Sequence, residues 1–223
     1  RRQRHICIRD RSWGEAMGKA TVELGHKKVA MIWTQKGNIS AAEIWYGAEK
    51  ELKAGGVEVV AEAWDVLSRE NGQKYAEQYI ARFAPGEVDA FIVIGAVAGL
   101  GSKFAVDQAG RDDIAIITTD IDEQVAEFIK DGELAFSIGG HWMVGGFGLI
   151  QLYDYIHGFR VMDTQPLFSL IPVTATNVDK YANILSGCIL SKEDIRNLSR
   201  VHNPDADLPG FIDSFSKNWE SFM

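Results

Sequence analysis

The sequence predicts an α/β fold built on a doubly wound parallel sheet. Short runs of β-branched and apolar residues alternate with amphipathic helical stretches, at intervals of about 25 to 30 residues, which is typical of repeated β-α units. Most of the strand-like runs are continuously apolar rather than alternating, which indicates strands covered on both faces. Together these two observations favour a parallel sheet with helices on each side.

Six of the predicted strands lie in the first two thirds of the chain, and a seventh lies after them. In chain order they are His5–Ile8, Val29–Trp33, Val57–Ala63, Val88–Ile94, Ile114–Thr119, Leu134–Ile138 and Leu167–Val173. Thr174–Asn177 has the composition of a turn. From Gly187 onward we expect an irregular tail that docks its aromatic residues on the body of the protein; these are Phe211, Phe215 and Trp219.

The predicted helices have recognisable start and stop signals. Ser40 and Glu43 have the spacing of a capping box, and the helix that follows ends at Gly55-Gly56. Its apolar stripe consists of Ala41, Ile44, Trp45, Ala48 and Leu52. A second helix ends at Pro85-Gly86 and a third at Gly132.

The bulk composition excludes two classes of partner. The chain has 223 residues and a formal net charge of -8, with no basic stripe to meet a phosphate backbone, so nucleic acid is not an expected partner. The longest apolar candidate, residues 142–156, is interrupted by glycines and Asp154, and we expect no insertion into a membrane. Cys7 has the setting of a buried small hydrophobe, and a bridge to Cys188 stays open.

One glycine pattern resembles the dinucleotide fingerprint of short-chain dehydrogenases. Gly95, Gly99 and Gly101 follow a predicted strand, and Asp120 comes about 20 residues later, where a ribose-binding acid would lie. Three earlier strands precede the motif, however, and the only Tyr-x-x-x-Lys, Tyr46 to Lys50, lies before the glycines. We therefore favour tight packing at a strand-helix junction as the reason for these glycines.

The sequence carries no signature of a metal site or of covalent catalysis. The five histidines show no pair at i,i+3 or i,i+4 spacing, and neither G-x-S-x-G nor a P-loop is present. We expect no cofactor and no enzymatic activity.

From Asp10 onward the order of features resembles the second lobe of type I periplasmic binding proteins, the sugar-type receptors of ABC transporters, and of the effector domains of LacI-like repressors. The matching stretches are Asp10–Gly14, Leu24–Val29, Gly47 within its helix, Ile116–Asp120, Phe128–Gly132 with Leu134–Ile138, and Val173–Tyr181. The resemblance covers about residues 4 to 182 and rests on the order of many weak motifs.

The resemblance implies a domain arrangement and a function. Residues 10–140 and 178–223 would form the second lobe, whereas 1–9 and 141–177 would form hinge crossings and a remnant of the first lobe, most of which would lie upstream. The protein would be a periplasmic receptor that captures a sugar or related polar solute between two lobes. An ABC permease or a membrane sensor would then recognise the ligand-bound form.

Two departures from the family pattern concern the ligand cleft. The position of the family's arginine, three residues before the helix glycine, is Ile44 here, and the expected Asn-Asp pair is Gly95-Ala96. A cleft without these side chains has fewer hydrogen-bonding groups than a plain monosaccharide site, so we expect a more apolar and aromatic lining.

The first candidate ligand-binding residues lie at the carboxyl ends of predicted strands, where open α/β sheets bind ligands. Trp33 and Trp64 could stack on a ligand or cap the local core. Asp120 could accept hydroxyl groups or serve as a helix N-cap. Asn38 could face the ligand, although capping explains both Asn38 and Ser40.

Further candidates lie at the predicted hinge crossings. His141 and Trp142 follow a double glycine and could reach the cleft or simply begin a helix. Asp10 and Arg11 could contact a ligand or form a hinge salt bridge.

Two other functions remain open at this point. The stretch Leu24–Lys28 also suits the effector domain of a cytoplasmic LacI-like regulator. The sequence shows no helix-turn-helix, which counts against this alternative. A nucleotide-dependent oxidoreductase is the third alternative, and it depends entirely on the glycine pattern after Val93.

Overall fold

The structure is a computed structural model that describes residues 10–160, 168–186 and 190–222. The chain divides into two compact units. The sheet unit comprises Asp10–Gly139 and Pro172–Asp179, and the helical unit comprises the described parts of Gly140–Ile171 and Lys180–Met223. The predicted strand His5–Ile8 and both cysteines lie outside the described residues.

The division differs from the predicted lobes in two stretches. The described part of 180–223 clusters with that of 140–171, whereas the sequence placed 178–223 with 10–140. Residues 172–177 belong to the sheet unit, whereas the sequence placed them with the remnant of the first lobe.

The sheet unit contains a four-stranded parallel sheet. Its strands are β1 (Lys28–Ile32), β2 (Glu58–Ala63), β3 (Ala90–Val93) and β4 (Ala115–Ile117), in the order β2-β1-β3-β4. Every pairing is parallel, with Val29 opposite Ala90. β3 is buried along its whole length, as its continuous apolar run predicts. The predicted fold class is confirmed.

Helices connect the strands of this sheet. They are α1 (Asp10–Glu23), α2 (Ile39–Ala54), α3 (Arg69–Arg82), α4 (Ala96–Gln108) and α5 (Glu123–Lys130). Right-handed crossovers determine the face of the sheet on which each helix lies. The connection from β1 to β2 contains α2, which lies on one face. The connections from β2 to β3 and from β3 to β4 cross the sheet in the opposite direction, so their helices, α3 and α4, lie on the other face.

Glycines allow these helices to pack in close pairs, α1 on α2 and α3 on α4. A Cβ at Gly47 of α2 would lie 2.1 Å from the carbonyl oxygen of Arg11, and one at Gly14 of α1 would lie 1.8 Å from that of Ile44. In the second pair, a Cβ at Gly101 would lie 2.0 Å from the carbonyl oxygen of Arg69. Any larger residue at these positions would force the helices apart.

Two further short strands and a helix lie outside the four-stranded sheet. β5 (Ser137–Gly139) pairs with β6 (Ile171–Val173), and α7 (Val178–Ser186) follows. The predicted turn at Thr174–Asn177 is confirmed, since the amide of Asn177 donates to the carbonyl of Thr174 at 3.1 Å.

The helical unit contains α6 (Met143–Ile156), α8 (Lys192–Asn197), α9 (Leu208–Asn218) and a 3-10 turn over Trp219–Phe222. The expectation of an irregular tail is therefore wrong. Ser191 and Asp194 form a capping box at α8, and Asp207 caps α9 through the amide of Gly210. The prolines, glycines and aspartates that resemble loop residues in the sequence are start signals of two short helices.

The aromatic residues of this segment pack as the sequence predicts. The ring of Phe211 lies 6.1 Å from that of Phe147, and the ring of Trp219 lies 6.0 Å from that of Tyr181. The buried carboxylate of Asp154 on α6 fixes the chain after α8, accepting from the Ser199 hydroxyl at 2.5 Å and the Arg200 amide at 3.0 Å. Of the helices in the described ranges, none has the length and apolar character that crossing a bilayer requires.

Candidate ligand-binding site

The topology creates a crevice at the carboxyl edge of the sheet. The connections from β1 and β3 leave in opposite directions, and open α/β sheets bind ligands at such a switch point. The first turns of α2 and α4 flank it, and both expose an apolar side chain: Ile39 is 82% exposed and Val97 is 56% exposed. Leu67, between β2 and α3, is also exposed. These three exposed side chains form an apolar rim at this edge of the sheet.

Trp33, which follows β1, belongs to the core. Its side chain is fully buried, and its indole N–H donates to the carbonyl of Ala41 at 2.9 Å. No face of this ring is open to a ligand, so the second interpretation of Trp33, a cap on the local core, describes the structure. The physical reason is that α2 folds back over the end of β1.

Trp64 and Trp45 form an aromatic pair beside Trp33. The rings of Trp45 and Trp64 have centroids 5.1 Å apart and a tilt of 38°, and both side chains are half-buried. Trp33 supports the pair, with centroids 5.3 Å from Trp45 and 6.4 Å from Trp64. Trp45 was not among the predicted site residues, because its position on the apolar stripe of α2 indicated the core.

Asp120 follows β4 in a strained backbone conformation, with φ of 65°. Its amide donates to the carbonyl of Ile138 and its carbonyl accepts from the Ser137 hydroxyl, each at 2.9 Å. The side chain does not cap the next helix, since the carboxylate of Asp122 accepts from the amide of Val125 at 2.8 Å. Left-handed non-glycine residues concentrate at functional sites, where the surrounding structure holds them in place.

The end of β3 is held by two threonines of the neighbouring chain segment. Gly95 has φ of 95° and caps α4 without a side chain. Its amide donates to the hydroxyl of Thr119 at 2.7 Å, and its carbonyl accepts from the hydroxyl of Thr118 at 3.3 Å. Both threonines are fully buried. Their hydroxyls therefore fix the crevice floor.

The fingerprint glycines have packing roles. A Cβ at Gly99 would lie 2.4 Å from the Thr118 hydroxyl oxygen, and one at Gly101 would meet α3. Gly72 of α3 is equally tight, 2.3 Å from the carbonyl oxygen of Ala98. The packing interpretation is confirmed for Gly99 and Gly101, whereas Gly95 has open space around it and occupies a turn with positive φ.

The remaining candidates of the sheet unit are structural in this conformation. Asn38 is the N-cap of α2, accepting from the amide of Ala41 at 3.2 Å, so the predicted capping box at Ser40 is wrong by two residues. Arg11 forms an ion pair with Glu43 at 2.9 Å, joining α1 to α2. Asp10 begins α1, where a carboxylate is favourable.

His141 and Trp142 belong to the helical unit. Trp142 precedes α6 and is 47% exposed, and it lines an apolar groove between α6, α8 and α9. The structure thus places the predicted residues in two units: six in the sheet unit and these two in the helical unit.

The candidate site presents an aromatic surface and a carboxylate at opposite edges of the sheet. Trp64 and Asp120 follow the two outermost strands, which lie three strand spacings, about 14 Å, apart. An aromatic face stands at one end and a carboxylate at the other, with main-chain groups between them. In the described ranges, no three His, Cys, Asp or Glu residues come together as they would around a metal ion.

The sequence profile of the family described as "Periplasmic binding protein domain" matches residues 1–151. The chain belongs to this family. No curated protein sequence matches the chain.

Solved structures with similar folds are themselves binding proteins. They include AraP, an arabinose binding protein from Geobacillus stearothermophilus (20% identity, TM-score 0.66, 77% of this chain and 63% of that chain). A periplasmic solute binding protein from Actinobacillus succinogenes 130z with bound D-allose is similar at 14% identity and TM-score 0.72, over 78% of this chain and 62% of that chain.

A third is an ABC transporter solute binding protein from Bacillus halodurans C-125 with bound myo-inositol, at 20% identity and TM-score 0.67, over 78% of this chain and 60% of that chain. At these identities the likeness establishes the fold. The chain covers less than two thirds of the length of each of these three binding proteins.

Proposed function

We propose that the chain is part of an extracytoplasmic receptor that captures a small polyhydroxylated ligand, a sugar or a cyclic polyol, at the carboxyl edge of the sheet. The observation that carries the proposal is Asp120. Its backbone is held in a left-handed conformation at the switch-point edge of the sheet, and such residues concentrate at functional sites.

The aromatic pair supports the same class of ligand. A sugar or cyclic polyol has hydroxyl groups around its rim and an apolar C–H face, which an indole can cover. Trp64 and Trp45 offer such a surface, and Asp120 offers a carboxylate that accepts from two hydroxyls.

The side chains around the site favour some ligands of this class over others. Ile44 is buried and Gly95 has no side chain, so neither supplies the hydrogen bonds expected of the family at these positions. With Ile39 and Val97 on the rim, the site suits a ligand with an extended apolar face. We therefore place cyclic polyols and deoxy sugars ahead of plain hexoses.

In this proposal the receptor works in the periplasm and its partner is an ABC permease in the membrane, with a membrane sensor as the alternative partner. The similar proteins described as ABC transporter components support the permease. Closure of two lobes on the ligand would be a hinge motion that creates the surface read by the partner.

Calorimetric titration tests the proposal. The full-length protein would be titrated with pentoses, hexoses, deoxy sugars, inositols, NAD and NADP. We expect saturable binding of one polyhydroxylated compound and none of the dinucleotides. Silence for every sugar and polyol, or saturable binding of NAD or NADP, would overturn it.

A further inference from the structure

Asp65, which directly follows Trp64, has a left-handed backbone conformation with φ of 64°. Among the residues that the structure describes, Asp65 and Asp120 are the two that adopt positive φ without being glycine. Glycine occupies the other left-handed turns in these ranges, for example at Gly37 and Gly86, and adopts this conformation without strain. Asp65 is exposed, so burial does not explain its side chain. An aspartate kept at a strained turn therefore indicates a use for its carboxylate.

The carboxylate of Asp65 joins two loops at the carboxyl edge of the sheet. It accepts from the amide of Lys36 at 2.9 Å. Lys36 lies between β1 and α2, whereas Asp65 lies between β2 and α3. Main-chain bonds join the same loops, since the Asp65 amide donates to the carbonyl of Thr34 at 3.1 Å. The amide of Val66 likewise donates to the carbonyl of Trp33 at 3.0 Å. The side chain thus extends the contact between the loops to a residue beyond the reach of these main-chain bonds.

These bonds fix the chain on both sides of Trp64. Before it, the carbonyl of Ala63 accepts from the amide of Trp33 at 2.7 Å, and after it comes Asp65 with its two bonds to the first loop. The half-buried ring of Trp64 packs on that of Trp45, which belongs to α2, the helix that the first loop leads into. The Asp65 carboxylate therefore ties together the two chain segments that carry the aromatic pair.

We propose that Asp65 is a positioning residue, which holds Trp64 against Trp45 through the hydrogen bond from the Lys36 amide to its carboxylate. In this role Asp65 contacts no ligand and acts only through the two rings. Its importance for binding rests on the proposed function, because rings that already have a fixed orientation lose less conformational freedom when a ligand stacks on them. The orientation itself is a property of the free protein.

Circular dichroism of the full-length protein without ligand tests this proposal, since indole rings in contact give an exciton couplet. Trp64→Phe defines the share of the couplet that Trp64 contributes. Asp65→Gly should lose most of that share with Tm nearly unchanged, because relief of the strained φ offsets the lost hydrogen bond. Asp65→Asn should keep the couplet, since asparagine tolerates this φ and its amide oxygen accepts from an N–H group.

Asp120→Gly is the matched control, because it makes the same substitution at φ of 65° beside the other outermost strand, and it should leave the couplet unchanged. Hydrogen exchange at the Lys36 amide should accelerate in Asp65→Gly but not in Asp65→Asn. A full couplet in Asp65→Gly would overturn the proposal, as would an equal loss in Asp65→Asn. Neither measurement uses a ligand, so failure here is distinct from silence of every sugar and polyol in the calorimetric titration.

Discussion

The indole rings of Trp45 and Trp64 lie 5.1 Å apart at the carboxyl end of β2, and the buried ring of Trp33 supports both. Trp33 is anchored through its N–H to the carbonyl of Ala41. The first turns of α2 and the end of β1 thus hold the partly exposed pair in a fixed orientation, which lowers the entropic cost of stacking a ligand on it.

Trp64→Ala should weaken binding of the cognate polyol by about tenfold, which corresponds to about 1.4 kcal/mol of lost ring contact. Trp64→Phe, the matched control, keeps an aromatic face and should retain most of the affinity. Calorimetric titration of the three proteins measures the effect. Equal affinities for wild type and Trp64→Ala would remove the aromatic pair from the site.

Asp120→Asn should lower affinity by at least about tenfold while leaving Tm nearly unchanged, because asparagine tolerates the left-handed backbone but carries no charge. Asp120→Gly should also lose binding yet raise the free energy of unfolding by about 1 kcal/mol, since glycine adopts this φ without strain. Thermal unfolding and titration of both variants separate the two roles. Undiminished affinity in Asp120→Asn would contradict the assignment.

Gly101→Ala should destabilise the sheet unit by about 1 to 3 kcal/mol, because its methyl group would meet the carbonyl of Arg69. Gln108→Ala, at an exposed position of the same helix, is the control and should be nearly neutral. Urea unfolding measures both. A neutral Gly101→Ala would show that α3 and α4 separate easily, which would reopen the nucleotide interpretation of these glycines.

His26 should make stability depend on pH. Burial lowers the pKa of His26, and the Asp89 carboxylate, 3.6 Å from its Nδ1, opposes this only in part. The unfolded chain therefore takes up the proton first, and stability declines as pH falls from about 6.5 toward the lower pKa of the folded state. Replacing His26 by glutamine should flatten Tm between pH 7.5 and 5.5. An unchanged slope in this variant would refute the assignment to His26.

The central strands could be predicted from the sequence because burial on both faces makes β1 and β3 nearly continuous apolar runs. The predicted Val88–Ile94 contains the observed Ala90–Val93, and Val57–Ala63 contains Glu58–Ala63. Helix ends were less predictable, since Asn38 and Ser40 are both good caps and only the path of the chain selects Asn38. Short helices such as α8 and α9 have too few turns to show periodicity.

The positions of the candidate residues relative to the strands could be predicted, but their surroundings only in part. By the carboxyl-end rule, Trp64 is expected to follow one strand and Asp120 another, and they do follow β2 and β4. It could not separate Trp33 from Trp45, because exposure of an indole depends on how α2 folds over β1. The strain at Asp120 likewise arises from its hydrogen bonds to Ser137 and Ile138, which lie on another segment.

Hydrogen-deuterium exchange with and without the saturating polyol tests most directly that the carboxyl edge of the sheet is the binding site. We expect the ligand to protect the amides of residues 34–39, 64–67, 95–98 and 118–122, which surround the crevice, and to leave β2 unchanged at its other end, near Glu58. Protection confined to α6, α8 and α9, with no change at these four segments, would contradict the account.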